Sequence, residues 1–152
     1  MALPSVFEEQ TTQNLINRLN KLTPEMKPKW GKMDAAKLLA HLNVTYDLAY
    51  ERIPNKLNFF MKLMMKLFVK NLVTNDVPYK KNERTAPVFI IQNDRDFEKE
   101  KAILIANLKD TASKGVGFFE GRVNTSFGPL KASEWSNMFY KHLDHHFNQF
   151  GI

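Results

Sequence analysis

Residues 142–150 read HLDHHFNQF, and they close a stretch, 132–149, that carries the apolar repeat of an α-helix. Phe139 and Leu143 follow Trp135 round one face, with Met138 on the other flank and Phe150 joining if the helix reaches it. At about 100° per residue, His142 and His146 fall within about 20° of Trp135. Two imidazoles are therefore committed to the side that must pack against the rest of the chain. Asp144 points the opposite way, and His145 lies at the edge of the face. An apolar interior accepts such rings when their nitrogens have partners. Some other element has to bring those partners, which constrains the fold more than any other feature.

Four further segments carry a helical repeat. The first, 6–22, offers Phe7, Leu15, Ile16, Leu19 and Leu22 for burial. TPEMKPKWGKM breaks it with two prolines and a glycine, and Trp30 is expected to anchor that bend. Asp34 is a natural N-cap for a helix over 35–51, which Pro54 stops. The third, 57–73, reads LNFFMKLMMKLFVKNLV, with Lys62, Lys66 and Lys70 predicted to form one narrow wet stripe. The rest of its surface is more apolar than one packing face uses. Contact with a second subunit is the leading reading, and binding at an anionic membrane surface is the competing one. The fourth, 94–109, buries Phe97, Ala102, Leu104, Ile105 and Leu108. Long connections fill 76–92 and 111–130. VFII within the first has no obvious strand to pair with, and the basic run YKKNER reads as a solvated loop. Gly151 stops the last helix. With no internal repeat or linker, 1–152 reads as a single all-α domain, a four-helix bundle with long connecting loops.

The chain of 152 residues is long enough for one hydrophobic core. It has no cysteine, which excludes disulfides, thiol nucleophiles and zinc–thiolate sites, so any metal takes nitrogen or oxygen ligands. The net charge of +6 favours anionic partners in general, but no zinc finger, phosphate loop or RNA-binding signature accompanies it, and no nucleic acid is expected. MALPSVFEEQ lacks the pattern of a secretory leader, and no run reaches the roughly 18 apolar residues of a membrane span. A cytoplasmic location is the simplest expectation.

His142 and His146 have the four-residue spacing with which two imidazoles clamp one metal ion. The residue after His142 is Leu143, so the glutamate base of the zinc-protease motif is missing. His41 is the only other histidine, on the shoulder of the apolar face of 35–51 beside Thr45 and Leu48. A lone inward histidine is ordinarily a hydrogen-bonded core residue. Two on one face, with a third available from a facing helix, favour a metal. Three neutral imidazoles suit Zn, Ni, Fe or Co and leave a position for water or a small-molecule substrate.

Three stretches also carry a family likeness: RLNKLTPEMKPKWGKMDAAKLLAHLNVTYDLAY, RDFEKEKAILIANL and SFGPLKASEWSNMFYKHLDHHFNQFG. Together they cover most of the chain, which resembles the DUF1569 family within the DinB-like superfamily. That resemblance implies an up-down-down-up four-helix bundle, often a homodimer, with a metal on His41, His142 and His146. It leaves His145 outside the ligand set, while Gln149, one turn beyond His146 on nearly the same face, is a candidate to hold a substrate or water, with a cap on the last turn its plainer role. His145, Asn124 and Trp135 are further candidates for the pocket, with core packing the plainer role for Trp135. In two places the chain departs from the family pattern. Lys131 stands where a capping Thr or Ser usually precedes Glu134, so Ser133 is expected to cap instead. Asn124 and Thr125 fall where relatives often carry His-Pro.

The resemblance implies a metal-dependent enzyme, with transfer of a low-molecular-weight thiol as the first reading. Lys141 could receive an acidic thiol but reads more simply as a solvated surface lysine. A metal-dependent hydrolase is the second reading. It lacks an evident base, since Asp47 and Asp144 both lie on polar faces. A non-enzymatic dimeric bundle that keeps its histidines as a metal store or structural clip is the third.

Overall fold

The computed structural model describes residues 2–152, and among them helices dominate, with one two-stranded hairpin. Helix α1 (Glu9–Leu19) starts three residues later than the apolar repeat suggests. The residues before it are held otherwise: the Val6 amide donates to Ser136 Oγ at 3.0 Å, which ties this segment to the last helix. Helix α2 (Ala35–Ala49) begins where expected, with Asp34 Oδ1 accepting from the Lys37 amide at 2.8 Å. Its end comes at Tyr50, before Glu51 turns to positive φ.

The segment predicted as one helix over 57–73 has a defect in its middle. Helix α3 (Phe59–Met64) runs into a π-helical turn at Met65–Val69 and resumes as α4 (Lys70–Thr74). Met65, Val69 and Val73 pack on the core from one side. The lysines do not form a single wet stripe. Lys66 is exposed, Lys62 is partly covered, and Lys70 pairs with Glu134 at 3.2 Å.

Helix α5 (Phe97–Phe119) overruns its predicted end by ten residues. Two tertiary contacts pull the chain on: Thr111 is buried and hydrogen-bonded to the Tyr50 hydroxyl at 2.7 Å, and the Phe119 ring is fully buried. The backbone breaks at Gly115 (φ 67°, ψ −176°), a conformation open to glycine alone, and becomes helical again beyond it. A short hairpin follows, β1 (Val123–Asn124) against β2 (Gly128–Pro129), antiparallel with Val123 opposite Pro129. VFII forms no strand; Pro87–Phe89 is a single 3-10 turn within the long connection.

Helix α6 (Ala132–Phe150) has its N-cap at Lys131 rather than Ser133. Half of a capping box is present, with Glu134 accepting from the Lys131 amide at 2.8 Å. The remaining need is met from a distance, because Glu120 Oε2 accepts from the Ala132 amide at 2.8 Å. Gly151 ends the helix in the left-handed region, as expected.

Helices α1, α2, α5 and α6 all contribute to one core. Trp135 and Phe139 of α6 stack on each other, and Phe139 lies parallel to Tyr46 of α2 at 4.9 Å. Leu15 and Leu19 of α1 and Leu104 and Leu108 of α5 are buried in the same cluster. Helix α2 packs on α5 and α6, and this sets the histidine of α2 against the two of α6.

Candidate metal centre

His41 and Thr45 are one turn apart on α2, and His142 and His146 one turn apart on α6. The α2–α6 contact meshes these two pairs. His41 Nε2 lies 2.9 Å from His142 Nε2 and 3.0 Å from His146 Nε2. The three rings thus present one nitrogen each to a common point, and together they could hold a metal ion. His41 and His146 are buried, at 5% and 9% exposure.

Each ring has a different partner at its other nitrogen. His41 Nδ1 donates to the Phe89 carbonyl at 2.9 Å, His142 Nδ1 meets Thr45 Oγ1 at 2.8 Å, and His146 Nδ1 donates to Gln149 Oε1 at 2.7 Å. The first and third partners settle the tautomer. A carbonyl oxygen has no proton to give, so Nδ1 of His41 carries the hydrogen and Nε2 is left with a lone pair. Gln149 is oriented by its own amide, which donates to the Trp30 carbonyl at 2.7 Å, so its oxygen faces His146. Nε2 of His146 is then a lone pair as well.

Two lone pairs 3.0 Å apart repel unless something positive lies between them. A proton is disfavoured there. Burial lowers the pKa of His41, with the Phe89 carbonyl opposing. Burial, followed by the nearby His41, pushes His146 down to about 3. Burial holds His142 well below the ordinary range, helped by His41 and His146. A shared metal cation satisfies the same geometry without a proton. Nitrogens bound at about 2.1 Å stand about 3.0–3.4 Å apart for bond angles between a right angle and the tetrahedral value. The observed separations of 2.9 and 3.0 Å lie at or just below the compact end of that range. The donor set therefore fits a divalent metal.

The sequence reasoning missed two supporting groups. Thr45 carried a signal, its one-turn spacing from His41. The Phe89 carbonyl carried none, because a backbone oxygen in a long connection has no residue-type signature. The Phe89 ring also covers the centre, 5.4 Å from the His41 ring and 5.7 Å from that of His142.

The remaining candidates are distributed differently. Gln149 is buried beside His146, and Gly31 allows its close approach: a Cβ there would stand 2.8 Å from Gln149 Nε2. His145 is not among the three converging histidines; its ring lies edge-on to His146 at 5.1 Å and to Trp30 and Tyr79 at 5.8 Å each. It borders a cavity of about 140 Å³ with Tyr79, Lys81 and Lys141. Asn124 is taken up by its own hairpin, where its side chain accepts from the Ser126 and Phe127 amides. Trp135 is core, with Nε1 donating to the Arg122 carbonyl at 3.3 Å. Asp144 pairs with Arg18 at 2.7 Å and Asp47 with Arg52 at 3.3 Å.

Lys141 is not the solvated surface residue expected of it. It is 4% exposed, and its ammonium donates to the Leu72 carbonyl at 2.8 Å and to Asn75 Oδ1 at 2.7 Å. Burial lowers its pKa to about 8, with Asp76 opposing. The C-terminal end of α4 covers this side of α6, which a helical wheel of α6 alone does not show.

Comparison with known proteins yields a family profile described as "Protein of unknown function (DUF1569)", which matches residues 7–151. No curated protein and no solved structure matches the chain.

Proposed function

The chain belongs to the DUF1569 family, and from its geometry we propose that it is a metal-dependent protein built round His41, His142 and His146. The observation that carries this reading is the convergence of three Nε2 atoms, two of them lone pairs by their hydrogen bonding. The metal would be Zn, Ni, Fe or Co, the ions that imidazole suits. Phe89, Thr45 and Gln149 would fix the rings' orientation and tautomers, as outer partners of metal-bound histidines do. Within this reading the fold is a DinB-like four-helix bundle, supported by the four helices that share the core.

We propose further that the centre serves a transferase acting on a small thiol. A bound metal would supply Lewis acidity and favour the thiolate over the thiol. The chain's own part is to hold the site, cover it with Phe89 and present only neutral nitrogen. Among the described residues the clustered metal-binding groups are three histidines, with no carboxylate among them to act as base for attack by water. This favours thiol chemistry over hydrolysis.

Elemental mass spectrometry on untagged protein, purified without chelator, tests the first step. About one metal per chain is expected, lost in both His41→Ala and His142→Ala. No metal, and no uptake of added zinc, nickel or cobalt, would sink the proposal. In cobalt-substituted protein, a thiol-dependent change in the visible spectrum is expected, and ester turnover without thiol would favour the hydrolase.

A further inference from the structure

The outer side of α3, the π-turn and α4 remains uncovered. Phe59 is 84% exposed, Phe68 69%, Phe60 66% and Leu67 63%, and Leu72 and Leu63 are exposed as well. Scattered apolar residues on a surface need no explanation, but a contiguous set of this size marks an interaction site. The opposite side of the segment is spent, since Met65, Val69 and Val73 pack on the core. From Met65 onward the segment therefore packs on the protein by one side, while α3 ahead of it has no buried residue and leaves its apolar side chains outward.

Charge decides what covers it. From Arg52 to Asn75 there are five cations and no carboxylate. Arg52 is held by Asp47 and Lys70 by Glu134, which leaves Lys56, Lys62 and Lys66 to meet a partner. A second copy seated face to face would bring the same cations against these and no anion from this stretch. An anionic phospholipid surface supplies the missing charge and takes the aromatic and aliphatic side chains into its acyl boundary. At 1.5 Å per residue, the sixteen positions of 59–74 extend about 24 Å. Among the described residues no helix is long and apolar enough to cross a membrane, so the fitting geometry is in-plane.

We propose that the α3–α4 face docks this protein on anionic phospholipid bilayers, with Phe59, Phe60, Leu67 and Phe68 inserted and Lys56, Lys62 and Lys66 at the headgroups. The surface is separate from the histidine centre, so the proposal does not rest on metal binding.

Co-sedimentation of the full chain tests it, with vesicles of phosphatidylcholine alone and of phosphatidylcholine mixed with phosphatidylglycerol. The protein is expected to pellet with the mixed vesicles, with roughly tenfold weaker binding to phosphatidylcholine alone or in high salt. Phe60→Ser/Phe68→Ser alters only exposed side chains, so it should keep its circular dichroism and metal content while losing the vesicles. Lys66→Glu should weaken binding by roughly tenfold or more. Protein left in the supernatant with both vesicle types overturns the proposal. So does binding unaffected by the double substitution. A stable dimer in solution that Phe60→Ser/Phe68→Ser converts to monomer overturns it as well, because a second copy then covers the face.

Discussion

Gln149→Leu isolates what the second nitrogen of a ring contributes to the centre. Gln149 is buried at 6% exposure, accepts from His146 Nδ1 at 2.7 Å and donates to the Trp30 carbonyl at 2.7 Å. Leucine is close in size, so packing is largely kept while both hydrogen bonds go. His146 is then free to swing or to change tautomer, and loss of such a partner typically lowers metal affinity about 10–100-fold, or about 1.4–2.7 kcal/mol. The metal-free protein also suffers, because His146 Nδ1 and the Trp30 carbonyl lose their partners. An unpaired buried group costs about 1–3 kcal/mol. Trp30 is only partly buried, so water can replace one partner, and about 2 kcal/mol in total is a fair expectation. For a chain of this length that lowers Tm by about 4–8 °C.

Two measurements keep these effects apart. Competition for zinc against a chromophoric chelator reads the affinity, and calorimetry with excess chelator reads the metal-free stability. Gln149→Glu is the control, because a carboxylate still accepts from Nδ1 but cannot donate to Trp30. It should bind zinc within about threefold of the wild type yet share part of the loss in Tm. Wild-type zinc affinity in Gln149→Leu would falsify the view that Gln149 orients His146. Equal losses of affinity in both variants would assign the effect to the Trp30 contact.

Acid should destabilise the metal-free protein in a defined window. His146 titrates near 3 in the folded chain because of burial and its neighbour His41, while an unfolded histidine titrates near 6.5. Between those values the unfolded chain binds more protons, so stability is full above about pH 6.5 and falls as pH drops toward 3. The slope is at most about 1.4 kcal/mol per pH unit for each histidine kept neutral. Urea midpoints at pH 7.5, 6 and 5 in chelator check this, and a flat profile would mean that the rings are not held neutral. Gly115→Ala meets no neighbouring atom within 4 Å, so its cost is the backbone conformation alone. A loss of about 1–3 kcal/mol is expected in denaturant titration, and an unchanged midpoint would show that the chain runs through this position in an ordinary helical conformation.

What could be read from the sequence follows from what periodicity measures. A helix fixes the direction of each side chain relative to its own axis, and so the shared face of Trp135, His142 and His146 was legible. The Asp34 cap and the Gly151 stop were legible for a similar reason, since each acts within one turn of its own residue. Neighbours are another matter. Lys141 looks solvated on a wheel of α6 because the wheel has no knowledge of Leu72 and Asn75, which arrive from 69 and 66 positions earlier in sequence. Helix α5 outran its repeat because Phe119 is rewarded by Phe7, Trp135 and Phe139, none of them on α5. The repeat sets His41 on the shoulder of its helix, whereas the structure buries it, and its tautomer depends on the Phe89 carbonyl, which any residue at position 89 would carry. The three histidines can survive substitution of Phe89, yet the His41 tautomer depends on where the 3-10 turn Pro87–Phe89 puts its backbone. A change that shifts that turn should weaken metal binding while leaving every ligand in place.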